Sequence, residues 1–290
     1  MSRATPRPPA GRLIEVAGRR VHLLDEGHGP ALVALHGAGG SLLDFTLSIQ
    51  PALARRHRII AFDRPGLGHS GALHGKGETP LEQARHLDAA AAELGVERAV
   101  ILGHSFGGAV ALAWALVNPA RVAGLVILSG ASMPWEGSAG WRYALIANPL
   151  SGAVLVPMAA RALPRRLLER MVAEIFAPQR PPAGYLEGID RALTLRPDVL
   201  RANARQINRL KGALRQMARA WPALDVPVEI LHGTADGVLP IDVHARPLQA
   251  ALPDARLSEL AGIGHMPHHA APDAVLAAVA RAVARAGLSP

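Results

Sequence analysis

The chain has 290 residues, half of them hydrophobic, 19% charged and only 3% aromatic. This excludes a disordered chain and suits one large α/β domain, alone or with an inserted subdomain, whose core is built from Ala, Val, Leu and Ile. The absence of cysteine excludes disulfides, a thiol nucleophile and cysteine-held zinc or iron–sulfur sites. The net charge of +8 rests on arginine, since Lys76 and Lys211 are the only lysines. Nucleic-acid binding is one reading of that excess. The arginines are scattered and not interleaved with aromatics, so a solvated arginine-rich surface is preferred and no nucleic-acid partner is expected.

In chain order, residues 1–10 read as a flexible tail without the apolar core of a secretory signal. Apolar runs of strand length follow: Val21 to Asp25, Ala31 to Leu35, Arg58 to Phe62, Ala99 to Leu102, Val122 to Leu128 and Val228 to His232. They are continuous rather than alternating, which indicates burial on both faces and a largely parallel sheet. Helical patterns fall between them, over 81–94 behind Thr79-Pro80, over 106–117, and over 272–286 at the end. Strands alternating with helices predict a doubly wound α/β sheet.

From Ser132 to Pro222 the rhythm breaks into proline-punctuated helical pattern. The reading is a helical cap over 132–222, inserted between core parts 1–131 and 223–290. The uncharged stretch Ala144 to Ala160 is interrupted by Asn148, Pro149, Ser151, Gly152 and Pro157, which makes a poor membrane span. The basic cluster Arg161 to Arg170 reads as a polar helix face, with contact to an anionic surface as the alternative. The expected location is cytoplasmic, with no membrane span.

"GHSFG", Gly103 to Gly107, joins a strand to a helix around Ser105. A serine hydroxyl is a poor nucleophile unless a base takes its proton and donors hold the oxyanion. A tight strand–turn–helix pushes the side chain out of the sheet and adds the positive end of a helix. With small residues two before and two after the serine, the pattern is G-x-S-x-G in the context it requires.

On these residues the chain resembles the α/β-hydrolase fold family, in the branch with an inserted helical cap. The resemblance implies a mostly parallel eight-stranded sheet. "LVALHGAGGS", Leu32 to Ser41, resembles the oxyanion loop, so Ala38 and Phe106 are implied as the backbone donors. "FDRPGLGHS", Phe62 to Ser70, resembles a structural turn, with Asp63 bonding within it. "LHGTADGVLP" places Asp236 at the position of the acid. "GIGHMPH" places His265 at the base. The order Ser105, Asp236, His265 is the one this fold uses.

Glu136 follows the strand before the cap, where some relatives keep their acid, but Asp236 lies in the more complete motif. His36 and His104 are expected to pack rather than transfer protons, and His232, at the end of a strand, to be buried and hydrogen-bonded. His268 and His269 lie beside the base, with Asp273 as the only carboxylate near in sequence, and no metal is assigned. Ala270 stands where relatives often have glutamate, and Phe45 where tryptophan is common.

The resemblance implies a serine hydrolase that cleaves a carboxylic ester through an acyl-enzyme, without cofactor. Relatives that open epoxides carry aspartate at the elbow. Carbon–carbon bond hydrolases commonly carry tryptophan where Met266 stands. An acyltransferase or perhydrolase, a carbon–carbon hydrolase, and a ligand receptor on the same fold remain as alternatives. Gly37, Met133, Trp135 and Met266, with Met158, are candidate pocket residues for a small apolar ester; Met133, Trp135, Met158 and Met266 could equally dock the cap. The oligomeric state, monomer or homodimer, is left open.

Overall fold

The computed structural model describes residues 5–137 and 140–288; the side chains of 142 and 159–162 also lie outside the described residues. Eight strands form one sheet in the order β1-β2-β4-β3-β5-β6-β7-β8. They are β1 (Arg12–Val16), β2 (Arg19–Glu26), β3 (Ala31–Leu35), β4 (Arg58–Phe62), β5 (Ala99–His104), β6 (Val122–Leu128), β7 (Val228–Gly233) and β8 (Ala255–Leu260). β1 and β2 are antiparallel to their neighbours, and all other pairings are parallel.

The six apolar runs are six of these strands. The two the sequence reading missed, β1 and β8, lie at opposite edges. "RLIEV" and "ARLSEL" carry charges and are half exposed, because an edge strand is covered on fewer sides and needs no continuous apolar run.

Side chains alternate across the sheet. Val33, Leu35, Ile60, Phe62 and Ile101 face one way, with Leu87, Val110 and Trp114 packed over them. Those three come from α1 (Pro80–Glu93) and α2 (Phe106–Val117). Leu32, Ala34, Ile59, Val100 and Leu102 face the other way, against Phe45, Val275 and Val279. Each such buried aliphatic or aromatic side chain contributes roughly 1.5–3 kcal/mol. α1 opens with a capping box, in which the Thr79 side chain accepts from the Glu82 N–H while the Glu82 carboxylate accepts from the Thr79 N–H.

Among the described residues, the chain between β6 and β7 contains helices and no strand. These are α3 (Trp141–Ala147), α4 (Pro149–Ala162), α5 (Arg165–Phe176) and α6 (Pro197–Met217), with single turns between α5 and α6. α7 (Ala245–Ala251) and α8 (Pro272–Arg285) follow among the last strands. Of the stretch read as a flexible tail, residues 5–10 are described. There the Arg7 N–H donates to Asp190 in the helical segment at 2.7 Å.

Candidate active site

The elbow is built by steric exclusion. A Cβ on Gly103 would lie 2.3 Å from the Gly107 carbonyl oxygen, and one on Gly107 would lie 2.1 Å from the Leu35 oxygen. The turn between β5 and α2 is therefore tight enough to press against β3. Ser105 occupies it at φ 53° and ψ −118°, a sparsely populated region that holds only when the surroundings over-determine it. Those surroundings include Ser105 N–H to Leu128 O at 3.0 Å and Ala131 N–H to Ser105 O at 3.0 Å. Phe106 is the first residue of α2, so its N–H has no intrahelical acceptor.

Two distant loops meet the serine. His265 Nε2 lies 3.0 Å from Ser105 Oγ. Its Nδ1 lies 2.8 Å from Asp236 Oδ2. The other Asp236 oxygen accepts the N–H groups of Val238 and Leu239, both at 2.9 Å. Burial alone would raise the Asp236 pKa, but hydrogen bonds from His232 and His265 hold its carboxyl well below the usual carboxylate range. His232, expected to be buried and hydrogen-bonded, is both, and Asp236 as its partner is the part not foreseen. Its Nε2 lies 3.2 Å from Asp236 Oδ2 and 2.7 Å from the Leu239 carbonyl. Its position four residues before Asp236 was the available signal. Glu136 is exposed, and the carboxylate on His265 Nδ1 is Asp236.

The loop after β3 runs beside the serine. A Cβ on Gly37 would lie 3.2 Å from Ser105 Cβ, and the exposed Ala38 follows it. Arg64, fully buried, holds this loop from behind. Its guanidinium donates to the carbonyls of His36 at 2.8 Å and Gly37 at 2.9 Å. It stacks on Phe106 at 4.4 Å. Burial pushes Arg64 down to about 9. His36 accepts the Arg64 N–H at 3.0 Å and is held by burial down to about 4, so it is a neutral strut. Asp63 accepts from Leu42 and His69 N–H, both at 2.8 Å, and contacts His22 at 2.6 Å. It thus bonds beyond its own turn.

The residues following the base are organised by a carboxylate from the other end of the chain. Asp44, not Asp273, is the partner of His268 at 2.9 Å and His269 at 2.8 Å. Tyr185, from the helical segment, donates to the same carboxylate at 2.8 Å. Burial opposes ionisation of Asp44, but these donors, His268 foremost, hold its carboxyl well below the ordinary range. His104 donates from Nε2 to the His265 carbonyl at 2.9 Å. Burial and the adjacent His268 and His265 push its pKa far down. Asp44, His104 and His268 hold potential ligand atoms within 4.8 Å of one another. The Asp44 oxygens already accept three donors, which makes this a hydrogen-bonded cluster.

The helical segment grips both loops. Gln179 accepts the Gly264 N–H and donates to the Gly262 carbonyl, both at 2.8 Å. Asn203, on α6, accepts the Gly39 N–H at 2.7 Å. Of the candidate pocket residues, Met266 is buried, while Met133 and Trp135 pack against the main core. Met158 is 60% exposed.

A profile of the family described as alpha/beta hydrolase fold matches residues 30–272. The chain belongs to that family, and a hydrolase is the coarse functional class this supports. It is 33% identical over 261 residues to polyketide synthase ThaQ of Burkholderia thailandensis, covering 86% of this chain and 11% of that protein. It is 32% identical to the dihydrolipoyllysine-residue acetyltransferase component of the acetoin cleaving system of Pseudomonas putida, covering 89% of this chain and 65% of that protein. The chain thus spans only part of both. It is 29% identical to a 2-hydroxy-6-oxononadienedioate/2-hydroxy-6-oxononatrienedioate hydrolase of Cupriavidus pinatubonensis, covering 85% of this chain and 84% of that one. An alpha/beta hydrolase fold protein from Burkholderia ambifaria superposes with TM-score 0.79 at 25% identity, covering 94% of this chain and 98% of the other. No helix among the described residues is long and apolar enough to cross a membrane.

Proposed function

We propose that the protein is a serine hydrolase that cleaves carboxylic esters through an acyl-enzyme. The observation that carries this reading is the unbroken chain Ser105 Oγ, His265 Nε2, His265 Nδ1, Asp236 Oδ2, at 3.0 and 2.8 Å. In the proposed reaction, Ser105 Oγ attacks the ester carbonyl carbon and His265 Nε2 takes its proton. Asp236, kept ionised by its donors, stabilises the resulting imidazolium. The oxyanion accepts from the N–H groups of Ala38 and Phe106, the latter at the positive end of α2. Collapse breaks the carbon–oxygen bond and the alcohol leaves with the proton from His265. A water then repeats the sequence on the acyl-enzyme, releasing acid and free Ser105.

Gly37 and Met266 are assigned to the substrate pocket. The core packing of Met133 and Trp135 favours docking of the helical segment, which acts as the cap. Esters of graded acyl length test the proposal, together with a serine-directed phosphonate. Turnover with phosphonate mass on Ser105 is expected. Turnover that survives Ser105→Ala would overturn it.

The Cupriavidus relative, by name a 2-hydroxy-6-oxononadienedioate/2-hydroxy-6-oxononatrienedioate hydrolase, supports a second reading, in which the same three residues cleave a carbon–carbon bond in a vinylogous diketone. Met266 favours the ester. A diketone turned over faster than every ester would reverse that preference. Transfer of the acyl group to an added alcohol or peroxide would show as partitioning of product away from the acid.

A further inference from the structure

Thirteen large hydrophobic side chains are exposed among the described residues, and ten of them lie between 141 and 175. They form stripes. On α4, Leu150, Val154 and Met158 recur every fourth residue and are 83%, 61% and 60% exposed. Gly152 and Val156, on the opposite side of the same helix, are buried. On α5, Leu167, Met171 and Ile175 repeat the spacing, each more than 40% exposed, beside the buried Leu168 and Phe176. A helix needs one apolar stripe to dock on its own protein. α4 and α5 each present a second, facing solvent, and exposed apolar stripes of this kind mark an interaction site.

The charges identify the partner. Residues 141–176, which hold both stripes, contain five arginines and two carboxylates, Glu169 and Glu174. Arg166 and Arg170 flank the Leu167–Met171 stripe and are exposed. Arg165, by contrast, is held by Glu169 and Glu187. We propose that this face of the helical segment seats on an anionic phospholipid surface, with the two stripes among the acyl chains and the arginines at the phosphates. Apolar stripes bordered by cations suit that boundary. A second copy suits it less. A twofold contact brings identical faces together, and residues 141–176 carry five arginines to two glutamates, an excess that would face itself.

Cosedimentation with phosphatidylcholine vesicles, with and without 30% phosphatidylglycerol, tests this. Partition onto the anionic vesicles is expected to exceed that onto neutral ones by ten-fold or more and to weaken with salt. The triple variant L150S/V154S/M171S, and separately R166S/R170S, are each expected to lose most of it while turning over a soluble short ester at the parental rate. Ser105→Ala is expected to bind as the parent does, which separates this proposal from the catalytic one. Three results would each overturn it: no partition onto anionic vesicles, equal partition onto both kinds, or undiminished binding by the triple variant. A concentration-dependent dimer, abolished by the triple variant in a protein that ignores vesicles, would reassign the face to self-association.

Discussion

Leu102 and Leu150 are the same residue in two different physical situations. Leu102, in the middle of β5, is 1% exposed; Leu150, on α4, is 83% exposed. Around Leu102, apolar side chains from both faces of a parallel sheet are sealed by helices, and polar groups near the site are neutralised by partners such as Arg64 and Asp44. Around Leu150, a helix docks by one side and offers apolar atoms to water on the other. The sheet immobilises a strained serine and the loops that meet it. Among the described residues, the helical segment meets those loops through polar contacts from Gln179 and Asn203 and through the rings of Phe176 and Tyr185 against His269. The chain spends its packing where geometry must be held to tenths of an ångström, and leaves apolar surface where it meets something outside itself.

The comparison can be broken or sharpened by measurement. The largest effect is expected from Ser105→Ala. It should lower kcat by at least about 10⁴-fold while the melting temperature stays at or above the parental value, since the elbow strain is not needed for folding. A large loss of stability instead would mean that the serine is part of the scaffold. Next come changes in the sealed region. Leu102→Ala should cost about 2–5 kcal/mol in urea unfolding. Asp44→Ala, which strands His268, His269 and Tyr185, should cost about 3–5 kcal/mol and also lower kcat, because the loop following His265 loses its anchor.

Acid should weaken the same region. His36, and His244, buried at the start of α7 with its carbonyl accepting from Ser132, stay neutral in the fold down to about 4, because burial opposes their charged forms. Their unfolded rings take up protons near 6.5. Between those values the unfolded chain binds more protons, so stability falls as pH drops from 6.5 to 4. His22, whose pKa is raised, opposes this as a single group. Below about 3.8, Asp44 and Asp236, held ionised in the fold, add to the loss. Urea midpoints at pH 7, 5 and 4 check the sign; a flat profile contradicts it. The smallest effect is expected from Leu150→Ala, within about 0.5 kcal/mol of the parent. If it costs as much as Leu102→Ala, the contrast between the two regions is false.

Much of the site could be read in the sequence because it is local. G-x-S-x-G records a clash that any side chain at 103 or 107 would create, and continuous apolar runs record burial on both faces. Strands β1 and β8 escaped because an edge carries no such run. The roles of Asp44 and Arg64 escaped for another reason. Nothing in a one-turn helix at Leu43–Thr46 says that its carboxylate will meet two histidines more than 220 positions later, and an arginine in a turn gives no sign that burial will set it beneath a catalytic loop.

The sequence by itself determined six of the eight strands and the glycine-framed elbow, and it singled out Ser105, Asp236 and His265 as candidates, since short-range sterics and periodic burial leave their mark on neighbouring positions. Only the tertiary structure decided which distant polar groups share one buried carboxylate, which loops the helical segment grips, and which of its apolar stripes face outward. Those outcomes depend on how separate elements pack, and packing brings together residues whose positions along the chain hold no information about one another.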